Sequence, residues 1–116
     1  IRDRYCIPRR DDPVCHLVTP LKPVEAAGLG RPVLVSEVPG LLEALPSEAR
    51  MTAKPGYPEA WAEAIVELQH NSDLRCALSA RGREWVEQAA SWSKRVEDIV
   101  ATYQTLSPDL KLDKVK

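Results

Sequence analysis

Apolar positions fall into two periods along the chain. From Arg31 to Val38 (R-P-V-L-V-S-E-V) they are almost continuous and β-branched. That pattern predicts a parallel strand buried on both faces. Two shorter apolar runs, Arg4 to Pro8 and Ala49 to Thr52, predict two more strands. Beyond residue 57 the period changes to that of helices. Pro58 to His70 places Trp61, Ala64, Ile65 and Leu68 on one face. Ser72 is expected to cap the next helix, with Asp73 in its first turn and Leu74, Leu78, Trp85 and Ala89 on its buried face. Gly82 inside that helix costs about 1 kcal/mol against alanine, so close packing is expected there. Ser91 or Ser93 caps the last helix, whose apolar face is Trp92, Val96, Ile99, Tyr103 and Leu106. The three tryptophans are expected to be packing anchors. Pro108 should stop the last helix, leaving residues 110–116 as a frayed tail.

Shorter elements fill the first half. Pro23 to Leu29 predicts a helix ended by Gly30 in the left-handed conformation, and Leu41 to Leu45 a second short helix. Asp11 to Val18 is expected to be a loop, and Lys54-Pro55-Gly56 a turn. The order strand–helix–strand–helix–strand followed by helices is half of a doubly wound α/β fold. A complete fold of that kind has about six strands. A bare inner edge on a three-stranded sheet invites strand pairing. Residues before Ile1 in a parent protein are therefore expected to supply the other half and an amino-terminal domain. Taken alone, the chain is expected to form a homodimer, edge to edge or by swapping its last helix.

Composition bounds the answer without naming it. The 116 residues carry a net charge of −1, with 44% hydrophobic and 28% charged residues, an ordinary composition for one globular domain. That charge balance gives no nucleic-acid footprint. Cys6, Cys15 and Cys76 show no metal spacing, and their odd number points to reduced thiols and a cytoplasmic setting. No apolar run reaches membrane-spanning length.

The chemistry concentrates between Val18 and Val35 (V-T-P-L-K-P-V-E-A-A-G-L-G-R-P-V-L-V). Pro20 and Pro23 lack N–H groups, so Leu21, Lys22, Val24 and Glu25 supply the amide donors at the helix entrance. Thr19 or Lys22 stands where an N-cap would. Free amides, the positive end of the helix dipole and the Lys22 ammonium together attract phosphate. Glu25 is three residues after Lys22, on the same side of the helix. A bound phosphate would repel its carboxylate, which suits Glu25 to a pair of sugar hydroxyls beyond it. A capped amphipathic helix with solvent-facing Lys22 and Glu25 accounts equally for this spacing. Arg9 and Arg10 follow the first strand, at the carboxyl end where open α/β sheets bind ligands. Surface charge beside Asp11 and Asp12 is their other reading. Gly40 follows the second strand, where a missing Cβ lets a ligand approach or simply permits a turn.

The same stretch resembles the donor-site helix of GT-B-fold retaining glycosyltransferases of the "group 1" family. Their pattern K-P-x-E-A-x-A-x-G-x-P-V-[VL]-x-[ST] stands here as Lys22, Pro23, Glu25, Ala26, Gly30, Pro32, Val33, Leu34 and Ser36. Pro39 to Leu45 is similar to the family's G-G-x-x-E-x-[IVL], and Tyr57 to Leu68 to its D-P-E-A-L-A-E-A-I-x-x-L. The resemblance implies a partial nucleotide-sugar-binding domain over residues 1–106, with 107–116 as a tail. It implies an enzyme in the parent protein and an inactive fragment in isolation. It also implies transfer with retained configuration and no metal or other cofactor. Glu25 would hold the ribose, Lys22 with the Leu21 amide the diphosphate, and Thr19, Arg9, Arg10 and Gly40 would stand close by. The partner is then a nucleotide-sugar donor, the acceptor is not legible, and the parent is cytoplasmic or membrane-peripheral. The family's first glutamate, eight positions before Glu25, is replaced by Leu17. His16 beside it could hydrogen-bond a sugar, as could Asp11 or Asp12, and His16 is the one candidate for a catalytic role. That replacement favours the alternative of a non-catalytic relic or protein-interaction module.

Overall fold

A computed structural model describes residues 4–106. Three strands form one parallel sheet in the order β1 (Tyr5–Ile7), β2 (Val33–Ser36), β3 (Met51–Ala53). Cys6 pairs with Leu34, and Leu34 with Met51. All four residues of β2 are buried. Its alternating side chains feed two cores. Val33 and Val35 pack with Ile7, Ala26, Ala27 and Leu41 on one face. Leu34 packs with Ala53, Ala64, Leu68 and Leu78 on the other. Apolar residues on both sides are what a central parallel strand requires, because helices cover both faces.

The first core is covered by α2 (Lys22–Gly28) and α3 (Pro39–Leu42). Gly30 ends α2 with φ of 67°, the left-handed conformation expected of it. The second core is covered by α4 (Pro58–His70) and α5 (Ser72–Trp85). α4 has the expected bounds. Ala64 and Leu68 are buried and Trp61 is half-buried, but Ile65 is turned out to solvent. α5 reaches both cores, with Leu74 and Leu78 in the second and Trp85 against the first. Gly82 is the contact that allows this. A Cβ on it would stand 3.1 Å from the Ala27 Cβ, so α5 and α2 approach to backbone distance.

Three expectations are corrected. Residues 11–18 are not all loop, for α1 (Pro13–Leu17) lies within them. The Asp12 carboxylate accepts from the Cys15 amide at 3.0 Å and Pro13 occupies the first turn. No α1 residue is buried, so no apolar period announced it. The cap of α5 is Asn71 rather than Ser72, its side chain accepting from the Leu74 amide at 2.9 Å. A π-turn (Val86–Ala90) then separates α5 from α6 (Trp92–Leu106), where Ser91 accepts from the Lys94 amide. Trp92 is no packing anchor: it is 83% exposed, and Val96, Ile99, Tyr103 and Leu106 are exposed beside it. α6 packs chiefly on the π-turn, so its apolar stripe has no cover among the described residues. The stop at Pro108 and the tail lie outside the described residues.

The Asp12 cap makes α1 sensitive to acid. The Cys15 amide bond, first among several causes, holds the Asp12 carboxyl below its ordinary value. A depressed folded value means the capping stability is present above the unfolded value and is lost as pH falls through the folded one. Acid titration is expected to lower the protection of the Cys15 amide, relative to its intrinsic exchange rate, in the wild type. Asp12→Asn, which keeps an acceptor but cannot titrate, is expected to flatten that response.

Candidate donor-binding crevice

The carboxyl end of β1 and the turn into α2 open on one crevice. Pro8, Arg9 and Arg10 leave β1 at that end, and the turn into α2 stands across from them. Arg9, Pro20, Leu21, Lys22 and Glu25 line a cavity of about 630 Å³, with the outer side of Cys6 as part of its wall. The structure therefore brings together Arg9, Leu21, Lys22 and Glu25, four of the residues singled out from sequence.

Ser36, the last residue of the motif, holds this arrangement. Its hydroxyl is the one buried polar side chain among the described residues. It accepts from the Arg9 amide at 2.7 Å and donates to the Arg9 carbonyl at 2.9 Å. One side chain thus satisfies both backbone groups of Arg9 and ties the end of β1 to the end of β2. The Arg9 guanidinium also donates to the Val18 carbonyl at 3.4 Å. The chain leaving β1 and the chain entering α2 are joined through that bond.

The entrance of α2 differs from expectation in two ways. The N-cap residue is Leu21 in helical conformation, with no side-chain cap, rather than Thr19 or Lys22. Thr19 instead donates to the Glu43 carboxylate at 3.2 Å. The Glu25 amide is used within the turn, donating to the Leu21 carbonyl at 3.0 Å. Among the described residues the amides of Leu21, Lys22 and Val24 have no backbone acceptor. Lys22 and Glu25 are both exposed at the crevice. Pro23 is buried beneath them and fixes the first turn against the core.

The other candidates fall around this crevice. Arg10 lines a neighbouring depression of about 280 Å³ with Arg9, Ser36, Gly56, Tyr57 and Trp61. Lys54 stands 4.3 Å from the Tyr57 ring centroid at its rim, a cation–π contact. His16 does not line the main cavity, and its Nε2 meets the Asp11 carboxylate. Leu17, in the place of the family's first glutamate, is 85% exposed. Gly40 makes its close approach to protein rather than open space. A Cβ there would fall 2.4 Å from the Val18 carbonyl oxygen and 2.7 Å from that of Cys15. Any larger residue would push α1 and the chain before α2 outward. No three or more His, Cys, Asp or Glu side chains are grouped for a metal among the described residues. Nor is any helix there long and apolar enough to cross a membrane.

This sheet order, with the crevice at the carboxyl edge, is the carboxy-terminal half of a doubly wound Rossmann-like domain of the GT-B kind. Residues 15–101 match a family described as glycosyl transferase-like, and the chain belongs to that family. A solved structure of sucrose-phosphate synthase from Thermosynechococcus elongatus superposes with a TM-score of 0.66, at 24% identity over 89% of this chain. The likeness takes up 25% of that protein's chain, so the present chain spans about a quarter of its length. At that identity the likeness is one of fold. No curated protein matches the sequence.

Ser36→Ala should separate the two strand ends without touching the cores. It leaves the buried amide and carbonyl of Arg9 without their partner, a loss of about 1–3 kcal/mol. Urea unfolding is expected to show that loss, and the Arg9 amide should exchange faster while those of α4 stay protected.

Proposed function

We propose that this chain is the donor-binding part of a glycosyltransferase that uses a nucleotide-activated sugar. The observation that supports it best is the shared crevice of Arg9, Lys22 and Glu25 at the carboxyl edge of a parallel sheet. Lys22, with the free amides of Leu21 and Lys22, would hold the diphosphate as a point charge and paired donors. Arg9 would add a second cation from the opposite wall, held in place through Ser36. Arg10 lines the neighbouring depression, while Thr19 and Gly40 are engaged by Glu43 and by the Val18 and Cys15 carbonyls. Glu25, one turn further along α2, would accept from the two ribose hydroxyls.

The sugar would then be transferred with retention, as the resemblance implies. The work of this chain is electrostatic: its cations stabilise the charge that builds on the leaving diphosphate as the glycosidic bond breaks. No protein nucleophile and no metal are required in that scheme. The acceptor would be held by parts of the parent protein outside this chain. Leu17 favours a second reading, a non-catalytic relic of the same fold used for protein contact. A parent protein that shows no phosphate binding at the Leu21 and Lys22 amides would decide for it.

Calorimetry distinguishes the roles of the two charged residues. Lys22→Ala is expected to weaken nucleoside diphosphate and pyrophosphate alike. Glu25→Ala is expected to weaken nucleoside diphosphate roughly tenfold, about 1.4 kcal/mol, and to leave pyrophosphate unchanged or slightly tighter. An equal loss for both ligands with Glu25→Ala would remove the ribose assignment.

A further inference from the structure

A second cationic basin lies at the other end of the sheet. Arg31 stands just before β2, at its amino end, whereas the donor crevice is at the carboxyl end. Arg31, Arg75 and Arg83 line an open basin of about 490 Å³ with Ser79 and Cys76 on its floor. Arg75, Ser79 and Arg83 are spaced by four residues along α5, which puts them in one row. The protein's net charge is −1, so this concentration of positive charge is local.

One of the three guanidiniums is anchored before any ligand arrives. Arg75 donates from Nη1 to the Leu68 and Gln69 carbonyls at 2.6 and 2.9 Å, which anchors it on the end of α4. Arg83 lies flat against Gly30, where a Cβ would be 2.7 Å from its Nη2. Gly30 has a φ of 67°, a conformation that favours glycine. Neither the Arg31 nor the Arg83 guanidinium has a hydrogen bond or ion pair to a described residue. Three like charges side by side repel one another, and an oxyanion among them reverses that cost. Guanidinium forks match phosphate geometry in pairs, and the Ser79 hydroxyl adds a neutral donor.

We infer that this basin binds the phosphate group of a small soluble phosphate monoester, at a site separate from the donor crevice. Arg31 and Arg83 contact the phosphate, and Arg75 supplies charge from its anchored position. Such a ligand would report on α5, which touches both cores, and so on the packing beneath the donor crevice.

The test is an NMR titration of the 116-residue chain with glycerol 3-phosphate. Amide and arginine Nε signals are followed, with sodium chloride at matched ionic strength as control. Saturable shifts at Arg31, Ser79 and Arg83 are expected. Arg83→Gln, and independently Arg31→Gln, should weaken them roughly tenfold, while Lys22→Ala leaves them unchanged. Equal shifts with chloride, or unchanged affinity in both arginine variants, would overturn the assignment. So would binding to anionic phospholipid vesicles with none to glycerol 3-phosphate.

Discussion

The burial of β2 on both faces is the constraint on which everything else depends. A strand with no solvent face cannot stand at the surface of a sheet, so it needs a neighbour on each edge and helices above and below. Its four residues satisfy that demand by alternation. Val33 and Val35 serve the core under α2 and α3, and Leu34 serves the core under α4 and α5. The last position, Ser36, is polar yet fully buried. It is affordable only because its hydroxyl is fully used by the backbone of Arg9. The strand that organises the core therefore also fixes the first residue of the crevice.

Position and charge follow from that arrangement. Parallel strands send all their carboxyl ends to one side, so the chain leaving β1 and the chain entering α2 meet there. Two prolines remove donors and bury the first turn of α2, which leaves the Leu21, Lys22 and Val24 amides without backbone acceptors. The Arg9 guanidinium reaches the Val18 carbonyl from the facing wall. The crevice is then cationic at its centre, with one carboxylate, Glu25, exposed a turn away.

What was legible in the sequence had a repeating physical cause. The 3.6-residue period of α4 gave its bounds, and the unbroken run at Val33 to Ser36 gave the central strand. Gly30 was legible as a left-handed helix end and Gly82 as a close helix contact. What was missed had no period. α1 is five residues long with no buried face, and only the Asp12-Pro13 pair marked its start. The π-turn at Val86–Ala90 leaves no sequence signature. Thr19 and His16 were plausible ligands by type, but Glu43 and Asp11, distant or merely nearby in sequence, engage them. α6 shows the limit most clearly. Its period identified an apolar face but could not say what covers it. That face opens on a groove of about 520 Å³ shared with Leu21 and Val24.

The measurement that tests the account most directly is an amide-resolved NMR titration with UDP, GDP and ADP. Shifts centred on Arg9, Leu21, Lys22 and Glu25, larger for one nucleotide than for the others, are the predicted result. Shifts confined to other surfaces, or none at these four residues in the full-length parent protein, would contradict a donor site at the carboxyl edge of this sheet.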